Sequence, residues 1–174
     1  MNALAAKPSK DSLTINTEVV LPNDTNHIGN LFGGKLLQWM DITSAIAAQR
    51  HSKRVVVTAS INHVSFDNPI KQNSTITLEA KVSRAFNSSM EVFIDVFVEN
   101  PITGEKTKCN EAIFTFVAID QNGTPLPVPP VIAETDLEKK RYDGALRRRQ
   151  LSLILAGRMK PNDATELKAL FKVD

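Results

Sequence analysis

One long helical pattern, followed without interruption by four long strand patterns, limits this chain to very few architectures. Lys35 to Arg50 repeats apolar residues at helical spacing, so a helix is predicted from about Gly34 to Arg50. Arg54 to Phe66 is rich in Val, Ile and Thr and ends at Asn68-Pro69. Thr75 to Phe86 alternates, with Ile76, Leu78, Ala80 and Val82 on one face and Thr75, Thr77, Glu79 and Lys81 on the other. Asn87-Ser88-Ser89 reads as a turn, and Met90 to Val98 follows as a strand. Thr107 to Asp120 is apolar on both faces near Ile113 to Ile119, which predicts a central or interface strand. A weaker strand pattern covers residues 11–20. Consecutive antiparallel strands after a single helix predict an α+β fold, an antiparallel sheet wrapped around a long central helix. Its outer face and strand edges would need cover or a partner.

The flanks read differently. Residues 1–11 are expected to be a flexible start and 12–124 the sheet-and-helix domain. Residues 125–133 hold Pro125, Pro127, Pro129 and Pro130 and predict an extended, semi-rigid link. Residues 134–174 predict a basic helical tail, entered at Glu134-Thr135-Asp136, with a shorter helix from about Asp163. Residues 1–133 carry 11 basic and 12 acidic side chains, residues 134–174 carry 10 and 7, so the tail supplies the whole positive excess. Its runs Lys139-Lys140-Arg141 and Arg147-Arg148-Arg149 fit a solvated helix face better than a nucleic-acid site, because the strands show no aromatic stacking pattern. No apolar stretch is long enough to cross a membrane. The start lacks the apolar core of a signal peptide. The single Cys109 fits a reducing cytoplasm and reads as a buried, inert thiol. His27, His51 and His63 are scattered, and no metal site is expected.

Within the helix, Asp41 shares a face with Leu37, Ala45 and Ala48, a stripe expected to be buried. A carboxylate there either sits at the stripe's edge, pointing at water or a partner Arg, or is partnered, protonated or put to chemical use. Gly33-Gly34 stands where the helix begins, and a helix N-terminus offers unpaired N–H groups and positive potential. Glycines there either make a tight turn or let a ligand approach the backbone. Asn26 either caps its turn or offers an amide to a water or carbonyl oxygen. Acid, amide and backbone donors together are the parts of an acyl-transfer site. Trp39, Phe32 and Ile28 are expected to pack at the helix entrance.

The string Asn26-x-x-Gly29-x-x-Phe32-Gly33-Gly34-x-Leu36-Leu37-x-x-Met40-Asp41 resembles the signature of hotdog-fold acyl-CoA thioesterases of the cytosolic acyl-CoA hydrolase group. The likeness continues through Ser88-Ser89-Met90-Glu91-Val92 and Phe114-Thr115-Phe116-Val117-Ala118-Ile119-Asp120 and covers roughly residues 12 to 150. It implies hydrolysis of acyl-CoA to a free acid and CoA, CoA entering as part of the substrate, with no separate cofactor. It implies Asp41 as catalytic acid/base or nucleophile, Asn26 as catalytic amide, and a site shared by the two chains of a homodimer. It also implies a trimer of such dimers. The carbonyl would lie over Gly34.

CoA carries three phosphates, so cationic or hydroxyl groups belong near the site. Arg84 falls in register with Ile76, Leu78, Ala80 and Val82, where a charge is out of place. Arg84, Ser88, Ser89 and Gly33 are therefore the candidates for CoA and substrate binding, against an ordinary cross-sheet ion pair for Arg84. Two other readings stay open: a non-catalytic CoA or nucleotide module, and a hotdog dehydratase on CoA thioesters. The dehydratase would lean on a histidine, and none falls within the predicted helix.

Overall fold

The first turn of the helix is where the fold departs from a simple reading of its pattern. A computed structural model describes residues 4–66 and 68–171; the outermost three residues of the expected flexible start and of the tail lie outside it, as does Asp67. The helix, α1, runs Gly33–Ser52 and buries Leu36, Met40, Thr43 and Ala47 at helical spacing. This corrects the expected stripe: of Leu37, Asp41, Ala45 and Ala48 only Ala48 is buried, and Asp41 is half-buried. Leu36 matches Leu37 in size, but Trp39 and Met40 beside it far exceed Ala45, so turning their side inward removes more apolar surface from water. The helix also runs past Arg50, taking His51 into its last turn, and ends at Lys53, whose left-handed backbone lets its N–H reach the Gln49 carbonyl.

The chain falls into two units, Met1–Ile132 and Ala133–Asp174. In the first, β1 is Lys7–Pro8, β2 Thr14–Val19, β3 Val55–Ser65, β4 Thr75–Ala85, β5 Ser89–Glu99, β6 Lys106–Ile119 and β7 Val131–Ile132. Five strands form one antiparallel sheet in the order β2-β4-β5-β6-β3. The long apolar β6 is interior, as its composition predicts. Ile76, Leu78, Ala80 and Val82 of β4 stand opposite Val98, Val96, Ile94 and Val92 of β5. With Phe114 and Phe116 of β6 they build the core beneath α1, fully buried except for the half-buried Val98. The α+β, helix-wrapping layout is therefore the one expected.

Strand β3 lies at an edge and leaves Val55, Val57 and Ile61 exposed. Ile42 and Ile46 of α1 are exposed too, as are Phe32 and Ile28, which were expected to pack at the helix entrance. Within the stretch expected to be a flexible start, β1 pairs in parallel with β7 and Ser9 is buried, as is Ser12 just after it. Proline-rich residues 125–132 lie along the first unit: Leu126 N donates to Ala118 O, Val128 N to Asn87 O, and Val128 is buried.

The second unit is built on α2, Asp136–Leu155. A capping box opens it: Thr135 Oγ1 accepts from Glu138 N, and Glu138 Oε2 accepts from Thr135 N. The short α3, Thr165–Ala169, starts two residues later than expected, because Pro161–Asp163 closes its own 3-10 turn. Gln150 Oε1 accepts from Leu167 N and joins the two helices. Arg147, Arg148 and Arg149 are half-buried, and Arg148 donates to the Arg141 carbonyl.

Candidate active site

The segment before α1 is fixed by its own polar groups. Asp24 is buried: its Oδ2 accepts from Leu21 N, its carbonyl accepts from Phe32 N, and Lys35 Nζ lies 3.4 Å from Oδ1. Lys35 also stands over the Trp39 ring, and Trp39 is buried as expected. Asn26 Oδ1 accepts from the N–H groups of Ile28 and Asn30, each at 3.1 Å. Gly29, at φ +75°, closes the turn by donating to the Asn26 carbonyl. The capping reading of Asn26 is thus correct for its oxygen. Two N–H donors fix that oxygen, so Nδ2 points the other way, and no acceptor meets it among the described residues. One side chain can serve both purposes because the amide has two ends.

Helix α1 begins at Gly33 with Phe32 as its cap residue. No side chain caps it and no acid sits in its first turn. The N–H groups of Gly33 and Gly34 therefore have no partner within the helix, and the positive end of its dipole is not neutralised locally. A side chain at Gly34 would meet the Phe32 ring, 3.0 Å from an added Cβ. A cleft of about 280 Å³ lies beside this terminus, lined by Asn26, Gly33, Leu36, Phe66, Ile70 and Asn110 among others.

Asp41 does not line that cleft. Its Oδ1 accepts from Thr58 Oγ1 at 2.8 Å, across from the open edge strand β3. At about 1.5 Å of rise per residue it lies roughly 10 Å along the helix from Gly34. Thr58 carried no sequence signal beyond strand propensity; only the register of β3 against α1 brings it to Asp41.

Arg84, Ser88 and Ser89 gather at the β4–β5 hairpin, away from the cleft lining. The expected register of Arg84 with Val82 is broken. A bulge at Ser83 sets Arg84 opposite Glu91, where an unbroken ladder would set it opposite Met90. Arg84 stands over the Phe86 ring and Ser89 is buried. The sheet register runs Ser89–Val117–Val57, so this hairpin lies at the Thr58 end of the sheet. The structure thus gathers Asn26, Gly33 and Gly34 at one place and Asp41 and Thr58 at another, with Arg84, Ser88 and Ser89 towards the second.

Burial raises the Cys109 thiol to about 11, and its Sγ donates to Val96 O, in line with an inert core residue. His51 is buried with Nε2 2.7 Å from the Pro129 carbonyl, and it does not line the cleft. Among the described residues no three His, Cys, Asp or Glu side chains are grouped to hold a metal.

A model of the thioesterase superfamily matches residues 28–105. The uncharacterised acyl-CoA thioester hydrolase YkhA of Bacillus subtilis is 43% identical over 139 residues, 80% of this chain and 81% of that protein. A hexameric acyl-CoA thioesterase, solved as a crystal structure, superposes with a TM-score of 0.84 at 40% identity, over 88% of this chain and 98% of its own. An acyl-CoA hydrolase from Staphylococcus aureus, solved with butyryl-CoA, CoA and CoA disulfide, gives 0.82 at 35% identity, over 94% and 99%. Three further structures of the staphylococcal hydrolase, at TM-scores of 0.82 to 0.83 and 33% to 34% identity over 93% to 98% of this chain, carry alanine at one asparagine, one aspartate or one threonine.

Proposed function

The chain belongs to the acyl-CoA thioester hydrolases of the thioesterase superfamily, and we propose that it cleaves acyl-CoA to a free carboxylic acid and CoA at a site made from two copies of the chain. The observation that carries this is the separation of the two half-sites. A single thioester carbonyl cannot lie over the Gly34 N–H and within reach of a carboxylate two helical turns away in the same protomer. A second copy docked on the open edge of β3 would bring its Asp41 and Thr58 to the first copy's Asn26 and Gly34. The exposed Val55, Val57, Ile61, Ile42 and Ile46 supply the apolar surface such a contact needs. The three residues replaced by alanine in the staphylococcal hydrolase are separated by 15 and 17 positions, as Asn26, Asp41 and Thr58 are here.

In this reading Asp41 takes a proton from water as the water oxygen attacks the thioester carbon. Thr58 holds Oδ1 and leaves Oδ2 to act as the base. The oxyanion that forms is met by the N–H of Gly34 at the uncapped helix terminus, and Asn26 Nδ2 donates to the carbonyl or to the water. Collapse breaks the C–S bond, and the CoA thiolate leaves and takes up a proton. Arg84 and Ser88, at the Asp41 end of the sheet, face the phosphates of CoA, whereas Ser89, expected to join them, is buried in the hairpin. The site needs no resident cofactor. The relative bound to butyryl-CoA favours a short acyl group. The hexameric relative supports assembly into a hexamer, read here as a trimer of dimers, and the lone thiol favours the cytoplasm. No helix among the described residues is long and apolar enough to cross a membrane.

Subunit complementation tests the shared site. Asp41→Ala and Asn26→Asp should each release almost no thiol from acyl-CoA. Unfolded and refolded together, they should recover about a quarter of wild-type activity, because half of randomly re-paired dimers are mixed and each mixed dimer regains one of two sites. No recovery from well-folded mixed dimers would refute a site shared between chains. A wild type that releases no thiol from any acyl-CoA would refute the hydrolase itself.

A further inference from the structure

Asn110 is a polar residue in an apolar column. On β6 it stands in line with Ala112, Phe114, Phe116 and Ala118, the side chains beneath α1, and its partner on β5 is Val96. Only 2% of it is exposed. Its Nδ2 donates to the Ser65 carbonyl at 3.0 Å. A backbone carbonyl only accepts, so this bond fixes which end of the amide is nitrogen. The oxygen, buried, has no partner among the described residues. The same side chain lines the cleft that Asn26 and Gly33 line. Ser65, which it holds, precedes Phe66, another wall of that cleft.

An acceptor cannot stabilise the oxyanion or hold the thioester carbonyl, because both are themselves acceptors. Asn110 Oδ1 can only meet a donor. A plain alkanoyl chain has none, and drawing it past the amide leaves that oxygen unpaired in an apolar site. We propose that Asn110 is a specificity-determining residue that selects acyl groups carrying a hydroxyl, a hydroxyacyl-CoA over the alkanoyl-CoA of equal length. This rests on the hydrolase reading above and names its substrate class. It adds no chemical step: the hydroxyl of the acyl chain donates to Oδ1 while the thioester is cleaved beside Gly34.

The test compares butyryl-CoA with 3-hydroxybutyryl- and 4-hydroxybutyryl-CoA by thiol release. The quantity read is kcat/KM for the better hydroxy substrate divided by that for butyryl-CoA. Wild type should favour a hydroxy substrate, and Asn110→Leu, of similar size but without an acceptor, should lower the ratio about tenfold or more, because a site left with an unpaired acceptor rejects the wrong analogue. Asn110→Asp keeps the acceptor and loses the donor to Ser65, so it should hold the ratio at or above wild type. If Asn110→Leu does not fold, Asn110→Asp decides alone: a ratio held supports the assignment and a ratio lost overturns it. A wild-type preference for butyryl-CoA, or a ratio unmoved by Asn110→Leu because a bound water serves the oxygen, overturns the inference and leaves the hydrolase standing. A wild type inert on every acyl-CoA overturns both.

Discussion

Replacing Thr58 with valine removes one hydroxyl from Asp41 and little else. Valine has the same branched shape and suits an edge strand at least as well as threonine, so β3 should form unchanged. The bond lost is the 2.8 Å donation from Thr58 Oγ1 to Asp41 Oδ1. Hydrogen bonds to a charged group contribute about 1.5–3 kcal/mol where water is excluded. Thr58 is exposed in the protomer and would be covered only by a second copy, so about 1–2 kcal/mol is the better figure here. If the hydroxyl sets the direction in which Asp41 takes its proton, that energy appears in the barrier: at 1.36 kcal/mol per tenfold, kcat should fall about 5- to 30-fold. KM should stay within about twofold, since the loss falls on the transition state and not on ground-state binding. Thr58→Ser, which keeps the donor, should recover most of the rate. The assay is steady-state thiol release over a range of acyl-CoA, beside thermal melts that show the fold intact. A Thr58→Val enzyme with kcat within about twofold of wild type would refute the role given to this bond.

Two further predictions follow from burial. His51 has a pKa lowered first by burial, against the opposing bond to the Pro129 carbonyl. That carbonyl needs an N–H on Nε2, so the neutral ring leaves Nδ1 bare, and protonation would put a donor on a buried atom with no acceptor among the described residues. The folded pKa lies below the unfolded value of 6.5, so His51 supports the fold fully above that value and the support is lost as pH falls towards the lowered one. The melting temperature should drop between about pH 7.5 and 5.5, and His51→Gln should flatten that drop; an unchanged slope would sink the assignment. Val57→Lys puts a charge on the exposed apolar edge of β3, and should abolish the dimer in light scattering and thiol release together. A variant that is still dimeric and active would exclude β3 as the contact.

The sheet and the helix were legible because their periods of 2 and 3.6 are written in the apolar residues. Ile76 through Val82 alternate so regularly that only one face could be inside. What failed were comparisons of near-equal faces and single-residue insertions. The stripe through Leu37 and Ala45 was a reasonable choice, but Leu36, Met40 and Trp39 carry more apolar surface and took the core. Arg84 looked inward only if the ladder was unbroken. Ser83, whose hydroxyl donates to the buried Glu91, makes the bulge that moves Arg84 out of register, and no local pattern announces it. Thr58 was invisible for a different reason: it reaches Asp41 through the placement of an edge strand against a helix, 17 residues along the chain. Asn110 could have been noticed, as an amide in register with Ala112, Phe114 and Phe116, but that its oxygen has no partner among the described residues shows only in three dimensions.

Several features of this protomer are unfavourable if it is considered alone. A long apolar edge strand lies open, a helix starts without a side-chain cap, and among the described residues an amide nitrogen meets no acceptor and a half-buried carboxylate is met by one hydroxyl. Each costs stability or solubility in a solitary chain. One change, the docking of a second copy along β3, would cover the apolar residues and bring the lone carboxylate to the uncapped helix. The same contact would therefore govern both assembly and chemistry, which is why a substitution as remote from the thioester as Val57→Lys is expected to silence the enzyme.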